Sequence, residues 1–242
     1  KVHQIILMVD LGDLREGYYY ERDLYSSIEE VLKLKGVNLL GIGTNLTCYG
    51  GVIPDEENLG RLTEIARNIE ERYHVKLEII SGGNSSSLHL LLEDNNIEGI
   101  NRLRLGESLV LGVETAYGER IEDTYDDAFQ LIAEIVEIKE KPSIPTGEIG
   151  RDAFGEIPTF VDYGIRKRMI CAIGKQDIEF DTILPVDEGI SILGGSSDHL
   201  ILDGTDSKVD YKVGDTIRFK LNYGGILRAM TSEYVEKDMK YF

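Results

Sequence analysis

Hydrophobic positions in the first half of the chain alternate between two spacings. Residues 2–9 are apolar enough, from Ile5 on without a break, for a strand buried on both faces. Residues 21–35 place Leu24, Ile28, Val31, Leu32 and Leu34 at helical intervals, and Gly36 stops the run. Residues 37–46 read as the next strand. Pro54 opens a second helix, with Leu59, Leu62, Ile65, Ala66 and Ile69 on one face. Residues 76–80 form a third strand running into SGGNSSS, a short helix follows at 86–92, and 101–103 reads as a last short strand. Four strand–helix units in about 120 residues imply a parallel sheet with crossover helices. A closed eight-unit barrel needs about 250 residues, so this half of the chain suffices for the second half of a β/α (TIM-type) barrel.

The pattern changes near residue 125. From 129 to 139 and again from 165 the chain reads as short strands rich in β-branched residues. KPSIPTGEIG, DEGISILGG, DGTD and KVGD separate them as turns, and predict an antiparallel β domain or small barrel. The fold class expected is therefore α/β plus all-β, with residues 1–125 as a cofactor-binding half barrel and 126–242 as a C-terminal β domain.

Charge narrows the choice of partners. The 242 residues carry 26 basic and 44 acidic side chains, a formal net charge of −18. Phosphate backbones and anionic lipid would be repelled, so no nucleic acid and no membrane is expected as a partner. A cationic substrate would be drawn in. Cys48 and Cys171 fit no metal spacing, the four histidines form no spaced pair, and no metal is expected. Two free thiols suit a reducing, cytoplasmic setting. No apolar run approaches the roughly 18 residues of a membrane helix. The chain opens at Lys1 almost directly in a strand, which leads us to expect further barrel strands upstream.

Three motifs close apolar runs with small or charged residues: VDLGDLREG at 9–17, SGGNSSSL at 81–88 and RLRLGES at 102–108. In a β/α barrel such strand ends form the active face. Together with TNLTCYG at 44–50, ILGGSSDHLILDGTD at 192–206 and LNYGGIL at 221–227, they occur in the order found in pyridoxal-phosphate-dependent amino-acid racemases. The chain resembles the alanine racemase type, and within it the ornithine/alanine racemase branch. VDLGDLREG is similar to the family's D-T-G-M-x-R-x-G strand end, GGNSSS to its phosphate turn and RLRLGES to its V-R-x-G segment.

The resemblance implies pyridoxal 5'-phosphate as cofactor, a small amino acid such as ornithine or alanine as substrate, and a head-to-tail homodimer. It implies that Asn45, Asn84, Ser85, Arg104, Gly106, Glu107 and Tyr223 bind the cofactor. Asn45 stands where relatives carry a ring-stacking histidine, and Glu107 would contribute its N–H. Catalysis would fall to Arg15, Arg104 and Lys175. The family's Schiff-base lysine has no counterpart here and would lie upstream. Its second base, a tyrosine in G-Y-A-D-G, is matched by Gly174-Lys175-Gln176-Asp177, with lysine in its place. A lysine carbamylated in many alanine racemases corresponds to Met8.

Each residue also has a plainer reading. Ser85 can be part of an ordinary helix cap, and Arg104 a surface arginine. Arg15 can simply pair with Asp10, Asp13 or Glu16. Lys175 can be a surface turn residue, with Cys171, Tyr163 or Asp198 facing the substrate, and Asp198 itself can be a turn residue. Cys48 reads as packing. For the chain as a whole the alternatives are a non-catalytic pyridoxal-phosphate-binding homeostasis protein or an inert fragment.

Overall fold

The structure, a computed structural model, describes residues 1–240 except 94, 96, 153 and 156. The chain divides into two compact units, Lys1–Asp126 and Asp127–Phe242, and each is described by itself.

In the first unit three strands pair in parallel in the order β1 (His3–Met8), β2 (Val37–Gly43), β3 (Ile79–Ser81). Helices α1 (Glu21–Val31) and α2 (Glu56–Tyr73) make the crossovers. α2 begins where its sequence satisfies its own free N–H groups: Asp55 accepts from the Asn58 amide, and Asn58 returns a bond to the Asp55 N–H. The apolar faces of both helices enter one core with the strands, including Leu24, Ile28, Ile42, Leu62, Ile65, Ala66 and Ile69. Each fully buried Leu or Ile there contributes about 1.5–3 kcal/mol.

Two elements end earlier than the periodicity predicts. α1 stops at Val31, leaving Leu32 and Leu34 exposed. The chain must turn back here, because the Gly36 carbonyl accepts from the N–H of His3 to start the β1–β2 pairing. The fourth strand contracts to a single parallel bridge between Ser81 and Arg102. Its partner β3 has only three residues and runs into Gly82-Gly83, where Gly83 takes φ +111°. That left-handed turn suits glycine and carries the chain away from the sheet. Short helices α3 (Leu88–Leu92) and α4 (Glu107–Leu111) follow.

The second unit is a six-stranded antiparallel sheet in the order β6-β9-β4-β5-β8-β7. The strands are β4 (Gln130–Pro142), β5 (Ile165–Cys171), β6 (Ile183–Pro185), β7 (Ser191–Gly195), β8 (Leu200–Asp203) and β9 (Thr216–Leu221). β4 is the spine. Its first five residues pair with β9, and from Ile135 onward it pairs with β5, across an irregularity between Ile135 and Glu137. Leu131, Ala133 and Ile135 alternate inward and meet Met169, Leu200, Leu202, Ile217 and Phe219 in one core. A helix, α5 (Tyr223–Thr231), stands where two glycines and the short-strand pattern suggested none. Asn222 caps it by accepting from the Gly225 N–H at 2.9 Å.

Candidate active site

The three strand-end motifs meet at the carboxyl ends of β1, β2 and β3. Arg104 is the hub. One terminal nitrogen donates to the Ser81 hydroxyl at 2.5 Å, and the other to the Thr44 carbonyl at 2.9 Å and to Asn45 Oδ1 at 3.1 Å. Ser81 and Thr44 are fully buried. Burial pulls the guanidinium below its usual range, while Glu16 pulls in the opposite direction. An arginine keeps its charge even so. Arg104 is thus no surface arginine but a half-buried cation fixed by three acceptors from two strand ends.

Asn45 and Asn84 extend this network. Asn84 Nδ2 donates to Asn45 Oδ1 at 3.1 Å, to the Leu46 carbonyl at 3.0 Å and toward the Cys48 sulfur at 3.1 Å. Asn45 Nδ2 donates to Glu16 Oε1 at 2.8 Å. Glu16 Oε2 lies 3.2 Å from Arg15 Nε. Of the three carboxylates named as partners for Arg15, Glu16 is the one it meets. Asp10 and Asp13 are engaged elsewhere. Asp10 caps its own turn by accepting from the Gly12 and Leu14 N–H groups, and fully buried Asp13 accepts from Tyr49, Gly50 and Val52. Asp13 therefore clamps the segment carrying Cys48 against the first motif. Cys48 is exposed beside Arg15 rather than packed in a core, and partial burial still raises its thiol.

Ser85 and Gly106 form a second focus. Buried Ser85 Oγ accepts from the Gly106 and Ser108 N–H groups, both at 3.2 Å, and lies 3.1 Å from the Ser108 hydroxyl. Ser85 is not the helix cap. Asn84 caps the short 3₁₀ turn Ser85–Ser87 that precedes α3, accepting from the Ser86 N–H at 2.7 Å. The N–H groups near Gly106 converge with the Ser85 hydroxyl as the phosphate-turn reading requires, but in this chain they point at the hydroxyl itself. The side of Gly106 where a Cβ would project is open, with no atom within 4 Å. Burial raises the Glu107 carboxyl, whose residue opens α4.

Lys175 and Tyr223 belong to the second unit. Gly174 lets the Lys175 turn lie directly on the 197–198 backbone, where a Cβ would come within 2.3 Å of Asp198 N. Lys175 Nζ sits 3.7 Å from the centroid of the Phe154 ring and 5.9 Å from that of Phe180, a cation–π arrangement. Tyr223 is the first residue of α5 and half exposed. Cys171 is wholly buried and its thiol is pushed up to about 12, so it cannot act as a base at neutral pH. Asp198 is exposed, accepts from the Ser196 hydroxyl at 2.9 Å and pairs with His199, which makes it a turn residue. Among the described residues no three His, Cys, Asp or Glu side chains group as metal ligands.

Sequence reasoning passed over Ser81, Thr44, Ser108 and the dual engagement of Glu16. Ser81 was within reach, since it opens the SGGN turn. Glu16 occupies an unspecified position of the motif, and its role depends on Asn45, 29 residues away.

The first unit thus carries a charged network at the carboxyl ends of parallel strands joined by crossover helices, and the second is an antiparallel β unit. Residues 1–113 match the family model described as alanine racemase, N-terminal domain. A curated protein of Acetoanaerobium sticklandii called ornithine racemase is 54% identical over 99% of this chain and 68% of its own length. The chain belongs to the alanine racemase family. A lysine racemase of Thermotoga maritima is 47% identical over 97% of the chain and 65% of its own length. Among solved structures, alanine racemase from Bacillus anthracis aligns with a TM-score of 0.62 at 14% identity, over 90% of this chain and 55% of that one. Alanine racemase from E. faecalis gives 0.58 at 18%, over 94% and 59%. These likenesses extend to the fold. The chain spans about two thirds of its curated relatives and little more than half of the solved ones. Pyridoxal phosphate is the cofactor of this family, and an alanine racemase from Bartonella henselae carries it covalently.

The residues present suit such a group. The Cβ side of Gly106 is open, and the Ser85 hydroxyl and the Gly106 and Ser108 N–H groups, which here bond to one another, are of the donor kind a phosphate takes. Thr44 Oγ1 is buried at the end of β2 without a hydrogen-bond partner, so this strand end retains unused hydrogen-bonding capacity.

Proposed function

We propose that this chain is part of a pyridoxal-phosphate-dependent amino-acid racemase, with ornithine as first substrate candidate and alanine and lysine next. The observation carrying this reading is the fixing of Arg104 by Ser81, Thr44 and Asn45 at the ends of two parallel strands. The 54% identity to an ornithine racemase favours ornithine, and the charge of −18 favours a substrate with a basic side chain. When bound, the cofactor supplies an electron sink that makes the substrate α-proton removable.

The Ser85 hydroxyl and the N–H groups near Gly106 and Glu107 would hold the phosphate. Arg104, a permanent cation, would keep the ring nitrogen unprotonated. Arg15 binds the substrate carboxylate through charge-assisted hydrogen bonds. The proton is exchanged by two bases on opposite faces. One would be the Schiff-base lysine of the family, for which this chain has no counterpart. The other is Lys175, acting across a head-to-tail homodimer in the cytoplasm. To reach a substrate, Lys175 Nζ must leave its place 3.7 Å from the centroid of the Phe154 ring.

The test is isotope exchange by the full-length protein in heavy water, with each enantiomer of ornithine. The wild-type protein should exchange the α-proton of both. Lys175→Ala should lose exchange from one enantiomer at least about a hundredfold more than from the other, within the usual 10²–10⁴ contribution of an acid–base group. Equal losses remove Lys175 from the mechanism. A wild-type protein that binds pyridoxal phosphate yet exchanges neither ornithine, lysine nor alanine overturns the racemase reading in favour of a non-catalytic binder.

A further inference from the structure

Glu16 engages two different parts of the site with its two carboxylate oxygens. Oε1 accepts from Asn45 Nδ2 at 2.8 Å, and Oε2, buried and without a hydrogen bond, lies 3.2 Å from Arg15 Nε as an ion pair. Asn45 Oδ1 in turn accepts from two donors, Arg104 and Asn84, both at 3.1 Å. This pattern admits one orientation of the Asn45 amide. Were it reversed, its NH₂ would face the guanidinium and the Asn84 NH₂, donor against donor, and its carbonyl would face a carboxylate. The Asn84 amide is fixed in the same way, because its own Oδ1 accepts from the Ser86 N–H. Only the carboxylate of Glu16 supplies an acceptor on the far side of Asn45.

We infer that Glu16 is a positioning residue: it locks the Asn45 amide so that one carbonyl oxygen holds both Arg104 and Asn84, and it holds Arg15 with its other oxygen. Glu16 thereby links the arginine assigned to the substrate carboxylate with the one assigned to the cofactor ring. This inference rests on the function proposed above, but its geometry involves only this chain. The chemistry predicts different consequences for two substitutions. Glu16→Gln retains an oxygen that can accept from Asn45 and loses the charge that holds Arg15. Glu16→Leu loses both.

The experiment uses the full-length protein and two readouts. In the cofactor-free protein, the ¹⁵N side-chain amide of Asn45, assigned by its disappearance in Asn45→Asp, should be shifted and slow to exchange. It should remain so in E16Q and collapse to a solvent-exposed signal in E16L. In titrations with pyridoxal phosphate followed by absorbance, E16L should bind about tenfold more weakly, the size expected for losing one hydrogen bond to a charged partner. E16Q should bind within about threefold of wild type while its KM for ornithine rises several-fold through Arg15. An Asn45 signal unchanged in E16L, or equal cofactor affinities for E16L and E16Q, overturns the inference. If E16L does not fold, E16Q decides: a KM unchanged from wild type overturns it. If wild-type protein takes up no pyridoxal phosphate, the proposed function fails, and the amide signal alone decides the role of Glu16.

Discussion

At the scale of single residues, the site depends on buried polar atoms whose partners are all supplied locally. Ser85 is the clearest case. Its hydroxyl collects two backbone N–H groups from a segment more than twenty residues away. Ser85→Ala should leave buried Ser108 N–H and hydroxyl groups without their partner, which costs about 1–3 kcal/mol. Urea unfolding should show that loss, and a change below about 0.5 kcal/mol would mean the segment re-forms around water. Individual residues are also where the sequence was least complete. Arg104, Asn84 and Ser85 were legible because each sits in a motif at a strand end. Glu16 was not, because its significance lies in Asn45, 29 residues away, and no local spacing encodes such a meeting.

At the scale of elements, parallel pairing between β2 and β3 sets the geometry of the site. Gly41 packs so closely on β3 that a Cβ there would lie 1.9 Å from the Ile79 carbonyl oxygen. Gly41→Ala should force the strands apart and displace Ser81, two residues beyond Ile79, from Arg104. A destabilisation of about 3 kcal/mol is expected, at the upper end of overpacking costs. A crystal structure of the variant should show a lengthened Arg104–Ser81 distance, and an unperturbed ladder would refute the argument. Helical and strand periodicity gave α1, α2 and β2 because each buries an apolar face, whereas β1, expected to be buried on both faces, is exposed at His3 and Gln4 and only partly buried from Ile5 to Met8. It overran α1 because Leu32 and Leu34 keep helical spacing while the backbone turns toward β2. It did not reveal α5, whose Gly224 and Gly225 lower helix propensity. Gly225 is buried where a Cβ would meet the Thr182 carbonyl at 2.7 Å, so packing and the Asn222 cap outweigh propensity.

At the scale of the whole molecule, acid should act in two stages. Between neutral pH and the sequence pI of about 4.6, protonation relieves the self-repulsion of a chain with net charge −18. Stability should therefore hold or rise over that range. Below it the β unit loses support. Asp203 would be raised by burial alone, but bonds from Arg166 at 2.8 Å and from Thr205 outweigh this and hold its carboxyl below the usual range. Asp187 is held low by the Ser207 hydroxyl and the Gly189 N–H. A carboxyl depressed in the folded state stabilises above its unfolded value of about 3.9, and that contribution is lost as pH falls through its folded value. Unfolding followed by fluorescence of the 13 tyrosines, in a chain without tryptophan, should begin below about pH 4. Asp203→Asn should flatten the acid limb without moving its onset at higher pH. An unchanged acid limb would show that Asp203 carries none of it.

The spine strand β4 has a consequence for how that unit gives way. Its amino-terminal half completes one ladder with β9, and its carboxyl-terminal half completes another with β5. Neither ladder owns a strand that the other can do without. Fraying that starts at the β6 edge reaches the centre through β9, and fraying from the β7 edge reaches it through β8 and β5, so both run into the same thirteen residues. The two edges are remote in the sheet yet share a single last barrier, and the unit should open as one cooperative body rather than in two independent leaves.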